Sequence, residues 1–265
     1  MRIQRMSAST FRITSPQGKT MMLDPWLTGD PMWPLNERSP EKLAQTDIVA
    51  ITHGHFDHYP GVFEIAKVNN DVIVVAVLEM AFHLMAQGIK NVRPMGVGGT
   101  LSIEGIKFTM VNAAHSSSLL DPSTGKSAWV GPPVGYVIQL EDGFKIYALG
   151  DTGLHSDMKL VGDYYKPDVA LVPIGNAGFV MNAEEAVYAV THLIKPRCVI
   201  PFHDFPEPSE AADPQGMEEL LQFLPQSRGA IGSAKIFLRM MKANQDCVVH
   251  YLAIGESTEL RNTSL

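Results

Sequence analysis

The chain has 265 residues, of which 45% are hydrophobic and 18% charged, and its mean hydropathy of +0.02 argues against disorder. Its net charge of −7 and pI of about 5.7 argue against binding to nucleic acid. The two cysteines give no disulfide framework, and neither a signal core nor about 18 consecutive apolar residues appear. We therefore expect a cytoplasmic protein that lies outside the membrane. A homo-oligomer is compatible with this composition.

The first part of the chain predicts strands that are closed by turns. Segments Thr10–Thr14 and Thr20–Asp24 flank the turn signal SPQG, which predicts a hairpin. The following stretch, Pro25–Pro40, contains four prolines and predicts an irregular loop. The short apolar run Asp47–Thr52 is rich in β-branched residues, so it predicts a buried strand that feeds directly into a loop.

The middle of the chain alternates between predicted helices and strands. A helix is predicted from Pro60 to about Val68, followed by a strand at Asp71–Val77 and a helix at Glu79–Gln87. Asn182–Ile194 is the clearest amphipathic helix, because its apolar residues recur at helical spacing. Further strands are predicted at Lys107–Ala113, Val134–Leu140, Lys145–Leu149, Asp168–Val172 and Cys198–Pro201. Early hairpins followed by alternating elements favour a layered α/β structure.

The last part of the chain follows a proline-rich run, Pro201–Pro214, that is typical of a boundary. Helices are predicted near Met217–Leu224 and Ser233–Met241, and a strand near Val248–Ile254. We expect residues 1–208 to form the main domain and residues 209–265 to be a C-terminal extension that completes the same domain.

Four side chains that commonly bind metals fall within six positions behind the predicted strand Asp47–Thr52. They are His53, His55, Asp57 and His58. If the first two point to one side of the loop and the last two to the other, they supply ligands for two adjacent divalent ions. Imidazole and carboxylate suit zinc, iron, nickel and manganese.

Three more candidate ligands follow later predicted strands. His115, Asp151 and His203 each come just after a strand, and an α/β sheet brings its strand ends together at one rim. Asp24 closes the second strand of the predicted hairpin. Two interpretations of Asp24 stay open, a residue that initiates a turn and an acceptor that orients an imidazole ligand.

The order of these residues, HGHFDH followed by His115, Gly150-Asp151-Thr152 and His203, resembles the metallo-β-lactamase superfamily. The stretches LDPWLTGD, AHSSS, YALGDTGLHSDMKL and PDVALVPIGN are similar to metal-dependent hydrolases related to L-ascorbate 6-phosphate lactonase. The resemblance extends from about Arg12 to Pro208. It implies an α/β protein with the four-layer αββα sandwich of the metallo-β-lactamase fold.

The same resemblance implies the roles of the seven candidate ligands. His53, His55 and His115 would hold a first ion, Asp57, His58 and His203 a second, and Asp151 would bridge the two. Zinc is favoured, with manganese, nickel or iron as alternatives. Two such ions about 3.5–4 Å apart lower the pKa of a shared water toward neutrality. The resulting hydroxide would cleave an ester-like bond, in a lactone or a small anionic ester, and Asp57 would pass a proton to the leaving group.

Six further residues are candidates for the pocket or for orienting the ligands: Asp24, Phe56, Ser116, Thr152, His155 and Asn176. Phe56 replaces the small residue usual in the motif, so we expect a pocket mouth that is more apolar or narrower. Asn176 stands where relatives commonly carry an acid, and His203 precedes Asp204-Phe205 where relatives carry Tyr-Asn. These departures concern the choice of substrate rather than metal binding.

Three other functions are alternatives to the hydrolysis of a lactone or small ester. A phosphodiesterase acting on a small nucleotide or a phospholipid stays open, although the acidic balance gives no sign of a basic groove. Di-iron oxidoreductases of the superfamily replace the second histidine of the cluster with glutamate, whereas His55 is present here. A non-catalytic metal-binding module would be expected to lack a ligand, and all seven are present.

Overall fold

Sixteen strands are found in the computed structural model, which describes residues 1–121, 123–244 and 246–261. In chain order the strands are β1 (Arg2–Arg5), β2 (Phe11–Thr14), β3 (Thr20–Leu23), β4 (Ile48–Ala50), β5 (Ile73–Val77), β6 (Val92–Met95), β7 (Thr100–Ile103), β8 (Ile106–Asn112), β9 (Ser118–Asp121), β10 (Lys126–Trp129), β11 (Val134–Gln139), β12 (Lys145–Ala148), β13 (Val169–Pro173), β14 (Cys198–Phe202), β15 (Val248–Val249) and β16 (Ser257–Glu259).

Seven α-helices lie between these strands in the described part of the chain. They are α1 (Pro40–Leu43), α2 (Gly61–Val68), α3 (Leu78–Ala86), α4 (Asp157–Leu160), α5 (Ala183–Tyr188), α6 (Pro214–Phe223) and α7 (Ser233–Met241). Short 3-10 turns occupy Leu35–Glu37, Pro208–Glu210 and Pro225–Ala230, and π-helical turns occupy Val161–Tyr165 and Ala189–Ile194. No helix in these ranges has both the length and the apolar character needed to cross a bilayer.

The strands form two seven-stranded sheets of the same plan, and β9 pairs with β10 in a separate hairpin. The first sheet has the order β16-β1-β2-β3-β4-β5-β6, and the second has the order β7-β8-β11-β12-β13-β14-β15. Neighbours are antiparallel as far as β3 in the first sheet and β12 in the second, and parallel beyond. Each sheet therefore has a parallel half whose strands end at a common edge.

The hydrophobic core lies between the two sheets. One buried cluster joins side chains of the first sheet, such as Val49, to side chains of the second, such as Phe108 and Ile138. Buried residues of α2 and α3 extend this cluster, and α3 packs against β5 and β6 of the first sheet. A second cluster packs α5 and α7 against the opposite face of the second sheet. The predicted four-layer αββα sandwich is confirmed.

Local sequence explains where the predicted elements begin and where they change. The hairpin of β2 and β3 pairs Phe11 with Leu23 and Thr14 with Thr20, as the SPQG turn predicts. Asn182 caps α5, because its side chain accepts from the Glu185 amide at 2.9 Å and Glu185 accepts from the Asn182 amide at 3.0 Å. The predicted helix Asn182–Ile194 is found as α5 and a π-helical continuation over Ala189–Ile194, where the turns widen.

The C-terminal part of the chain is joined to both sheets. Strand β16 pairs antiparallel with β1, so that Arg2 lies opposite Glu259. Leu252 and Leu260 are buried in the main core. The strand predicted near Val248–Ile254 is limited to Val248–Val249, beside β14. These contacts support our proposal that residues 209–265 complete the main domain; the last four residues of that range lie outside the described residues.

Candidate metal centre

The seven predicted ligands lie at one edge of the sandwich, because they follow strands that run in the same direction. His53 and its neighbours follow β4, His115 follows β8, Asp151 follows β12 and His203 follows β14. Strands β8 and β12 are both antiparallel to β11, and β12 and β14 are both parallel to β13. The ends of these strands therefore meet, as expected for a site built on an α/β scaffold.

A first group of ring nitrogens comes from His53, His55 and His115. His55 Nδ1 lies 3.0 Å from His53 Nε2 and 3.2 Å from His115 Nε2. Zinc–nitrogen bonds of 2.0–2.1 Å in a tetrahedral site would place two such nitrogens about 3.3 Å apart. The spacing of the three nitrogens fits ligands that surround one ion.

The tautomer of His53 strengthens this fit. Thr52 Oγ1 donates to Asp24 Oδ2 at 2.7 Å, which uses its only hydrogen, so the hydroxyl accepts from His53 Nδ1 at 2.9 Å. His53 Nε2 then carries a lone pair toward His55. One proton on His55 Nδ1 could satisfy only one of its two short contacts, and a cation satisfies both.

A second group consists of Asp57, His58 and His203, and Asp151 touches both groups. Asp57 Oδ2 lies 3.5 Å from His58 Nε2 and 3.9 Å from His203 Nε2. Asp151 Oδ2 lies 3.1 Å from His203 Nε2, 3.4 Å from His58 Nε2 and 3.9 Å from His115 Nε2. The position of this carboxylate suits a ligand shared by two ions.

Several buried polar atoms of this site have no hydrogen-bond partner among the described residues. They are His58 Nε2, both ring nitrogens of His203 and Asp151 Oδ1. A buried polar atom without a partner costs free energy, and such atoms are uncommon in folded proteins. Imidazole nitrogens and carboxylate oxygens are also ligands for borderline divalent metals. Their convergence fits a metal site better than a closed hydrogen-bond network.

The protein environment shifts the pKa values of the two groups in opposite directions. Burial lowers the pKa of His55 to about 4, and it lowers the pKa values of His53 and His115 as well. Although burial opposes the effect, nearby carboxylates led by Asp151 raise the pKa values of His58 and His203. Burial therefore favours the neutral imidazoles of the first group, whereas the carboxylates favour the protonated imidazoles of the second group, with which a metal would compete.

We expect this difference to appear in the pH dependence of metal binding. Affinity of the His53 group should change little between about pH 6 and 8, because its imidazoles are already deprotonated. Affinity of the second group should rise by about tenfold per pH unit for each proton displaced, until the pH exceeds the raised pKa values. Zinc titrations of the H203A and H115A variants, each of which leaves one group intact, measure the two slopes. Equal slopes would contradict the prediction.

Asp24 connects the two ligand groups, because it contacts His58 directly and His53 through the hydroxyl of Thr52. Its side chain is buried, and Oδ2 lies 3.0 Å from His58 Nδ1. It also accepts from the backbone amide and the hydroxyl of Thr52, and Thr52 in turn contacts His53. Of its two interpretations, the acceptor that orients imidazoles is the one these contacts support. Thr52 was missed as a site residue because a threonine at a strand end carries no distinctive signal.

The turn that carries His203 is held by a buried ion pair. His203 adopts a left-handed backbone with φ of 60°, which is uncommon for a residue other than glycine. Arg5, which is buried, contacts the Asp204 carboxylate at 2.8 Å and donates to its carbonyl at 2.9 Å. Tyr251 donates to the same carboxylate at 3.0 Å. Gly175 lies so close that a Cβ there would overlap the His203 carbonyl.

A cavity of about 290 Å³ opens beside the metal-binding side chains. The polar part of its lining consists of His55, Asp57, His115, Asp151, His203, Ser116, Ser118 and Ser227. The apolar part consists of Trp26, Phe56, Leu120, Phe179, Phe205, Leu220, Phe223 and Leu224. Among the described residues that line it, none is a lysine or an arginine. Of these apolar residues, only Phe56 was predicted from the sequence to line the pocket.

The other predicted pocket residues lie at different places. Ser116 lines the cavity, and its hydroxyl is 3.3 Å from His55 Nε2. Thr152 is buried behind the site, where its hydroxyl accepts from the Ala114 amide at 2.9 Å. His155 is half-buried and Asn176 is exposed in a left-handed turn, and neither lines the described cavity. The structure therefore does not bring His155 and Asn176 to the site.

Comparisons with known proteins agree with this geometry. Residues 19–203 match the family model described as Beta-lactamase superfamily domain. A UPF0173 metal-dependent hydrolase of Rubrobacter xylanophilus is 39% identical over 205 residues, which cover 76% of this chain and 81% of that protein. One from a Polaromonas species is 42% identical over 206 residues and covers 75% of each chain.

A solved structure shows the same fold. Igni18, described as a novel metallo hydrolase from Ignicoccus hospitalis, superimposes with a TM-score of 0.77 over 98% of this chain and 99% of its own. Its sequence identity of 24% supports the shared fold alone.

Proposed function

Since the chain belongs to the beta-lactamase superfamily and its relatives are metal-dependent hydrolases, we propose that it hydrolyses carboxylic esters, above all lactones, with two divalent ions. The observation that carries this proposal is the convergence of two ligand groups on the shared carboxylate of Asp151, beside a cavity of small-molecule size. Bound ions supply Lewis-acid polarisation of a carbonyl and an acidified water as nucleophile.

The side chains of the cavity favour a carboxylic ester over a phosphodiester. Once two divalent ions are bound, their charge exceeds that of the Asp57 and Asp151 carboxylates, so the ligands themselves do not repel a phosphodiester. The difference lies in the rest of the lining, which is largely apolar and, among the described lining residues, offers no lysine or arginine to the remaining charge of an anion. A lactone or simple ester is neutral, so its substituents contact this apolar lining without leaving a charge unpaired. The same argument favours neutral substrates over the anionic esters that the lactonase resemblance implies.

Asp57 is the group we propose to carry the proton to the leaving oxygen. It lines the cavity, and 19% of its side chain is exposed, whereas Asp151 is 4% exposed. Its backbone carbonyl accepts from Ser9 Oγ at 2.8 Å, which holds the residue in place. Because the imidazoles of His58 and His203 lower its pKa against the effect of burial, Asp57 begins as a carboxylate, which can take up the proton released by the attacking water and pass it to the leaving oxygen.

A substrate panel tests the proposed bond. Lactones, aryl esters, phosphodiesters and acyl amides are offered to the zinc-loaded and manganese-loaded protein, with D57N and the exposed D163N as variants. We expect lactones and esters to be turned over fastest, with a loss of about 10²-fold or more in D57N and none in D163N. Faster cleavage of a phosphodiester, or no turnover of any ester or lactone, would overturn the proposal.

A further inference from the structure

The cavity beside the metal ligands has an apolar wall made from two distant parts of the chain. Trp26, Phe56 and Phe205 come from loops near the strand ends, and Leu220 and Phe223 come from the C-terminal helix α6. The candidate ligands line the same cavity, and the His203 ring stacks on Phe205 with centroids 5.9 Å apart. An apolar group on this wall would therefore share its enclosure with a reacting group at the ligands.

Aromatic contacts hold the wall in shape. The rings of Trp26 and Phe56 meet edge to face, with centroids 5.5 Å apart and an interplanar angle of 90°. Phe56 and Phe223 meet at 6.2 Å and 78°. Edge-to-face pairs stabilise each other beyond the area they bury, so Phe56 is fixed between the two sides of the wall. The residue that departs from the usual motif is thus the centre of this surface.

Helix α6 is anchored independently of any ligand. Met217 and Leu221 are buried in a small cluster with Trp26 and Phe205. Asp213 caps the start of the helix, because its side chain accepts from the Gly216 amide at 3.0 Å. This packing leaves Leu220 and Phe223 directed to the cavity, and the wall exists before a substrate arrives.

The wall leaves large apolar side chains in contact with water around the cavity mouth. Phe223 is 58% exposed and Leu120 is 48% exposed. Exposed apolar residues grouped around one cavity indicate a surface that binds an apolar partner. The cavity volume of about 290 Å³ is at the lower end of small-molecule sites, which suits a single alkyl or aryl group.

We propose that this wall is a subsite for the apolar acyl chain or ring substituent of a neutral ester or lactone, whose carbonyl faces the metal ligands. The proposal rests on the proposed function and names its substrate class. Its occupant is uncharged, because the described lining provides no lysine or arginine to pair with an anion. Helix α6, which lies outside the matched family region, would thereby set the specificity of this hydrolase.

The test is a chain-length series of 4-nitrophenyl esters from acetate to octanoate on the zinc-loaded protein. We expect kcat/KM to rise by up to roughly fourfold per added methylene until the wall is covered. F223A and L220A should flatten this rise, so that the ratio of kcat/KM on octanoate to kcat/KM on acetate falls within each variant, because only the longer chain reaches the wall. Q222A, an exposed residue of α6 that does not line the cavity, should behave as wild type.

Calorimetric titration with 1-octanol and 1-butanol gives a second measurement that needs no turnover. Wild type and Q222A should bind 1-octanol more tightly than 1-butanol, and F223A should lose the difference.

Esters hydrolysed with no dependence on chain length would overturn the subsite and leave the proposed function standing. If no ester is hydrolysed, the proposed function fails. The alcohol titration then tests by itself whether the wall binds an apolar chain, and equal binding of 1-octanol and 1-butanol by wild type would overturn the subsite. The wild-type protein could instead form a dimer that F223A separates, with no preference for 1-octanol over 1-butanol. That result would identify the wall as a contact between two copies of the chain and overturn the proposal.

Discussion

Replacement of Asp151 by alanine is expected to lower kcat/KM by more than about a hundredfold and to reduce the number of ions bound. Substitution of groups that only orient metal ligands costs about 10–100-fold, and we propose that Asp151 is a direct ligand shared by both groups. Its Oδ2 atom lies within 3.4 Å of His203 Nε2 and His58 Nε2. Without this carboxylate two buried imidazoles lose the negative charge that faces them, and the two ions would lose their shared ligand.

Metal content per chain and kcat/KM on the best ester measure this effect. D163N is the control, because Asp163 is an exposed partner of Lys159 at 2.8 Å, and we expect it to keep both values. Circular dichroism separates loss of ions from loss of fold. Wild-type metal content and wild-type turnover in folded D151A would show that Asp151 is not a ligand.

The second large effect is expected from Asp24, which does not touch the cavity. In D24N one carboxylate oxygen becomes an NH₂ group, whereas three donors from Thr52 and His58 point at the two oxygens of Asp24. At least one of these three donors then faces the new NH₂ group in place of an acceptor. We expect this loss to disturb the orientation of the His53 or His58 imidazole. We expect metal affinity to fall by about 10–100-fold while the fold is kept.

Competition with a chelator measures the affinity of D24N. D47N is the matched control. Asp47 also accepts from a backbone amide, that of Thr20 at 2.8 Å, but at the end of β3 that lies away from the ligands. T52V removes the hydroxyl that contacts His53 and should weaken the His53 group more than the second group. Unchanged affinity in both D24N and T52V would show that this network does not position the ligands.

The ligand set could be anticipated because its residue types are rare behind buried strands. A histidine that follows one strand carries little information, but the HGHFDH run with three further strand ends predicts a common site. In the structure the corresponding nitrogen and oxygen atoms lie close together, and their roles as ligands stay a prediction for the experiments above. Thr52 and the Arg5–Asp204 pair could not be anticipated, because threonines and ion pairs occur in every part of a protein.

The apolar wall could not be derived from the sequence for a different reason. The helix near Met217–Leu224 was predicted, and the structure confirms it as α6, but periodicity gives only the apolar face of a helix. Whether Phe223 packs in a core or beside the metal ligands depends on the path of the chain between β14 and α6. That path is set by the buried contacts of Met217 and Leu221.

Non-local pairing accounts for several of the missed strands. Strand β1 is only four residues long, and its partner β16 lies about 250 residues away in the sequence, so no local pattern connects them. The hairpin of β9 and β10 did carry a local turn signal, since Asp121 and Gly125 flank its end, but its strands are too exposed to show an alternating pattern.

The most direct test of the central claim is the number of divalent ions bound per chain at equilibrium. Dialysis against zinc, followed by elemental analysis, is applied to wild type, H115A and H203A. We expect two ions in the wild-type chain and one in each variant, because each substitution breaks one ligand group and leaves the other. A wild-type chain that binds no ion, or variants that both keep the full number, would contradict a metal-dependent site at these residues.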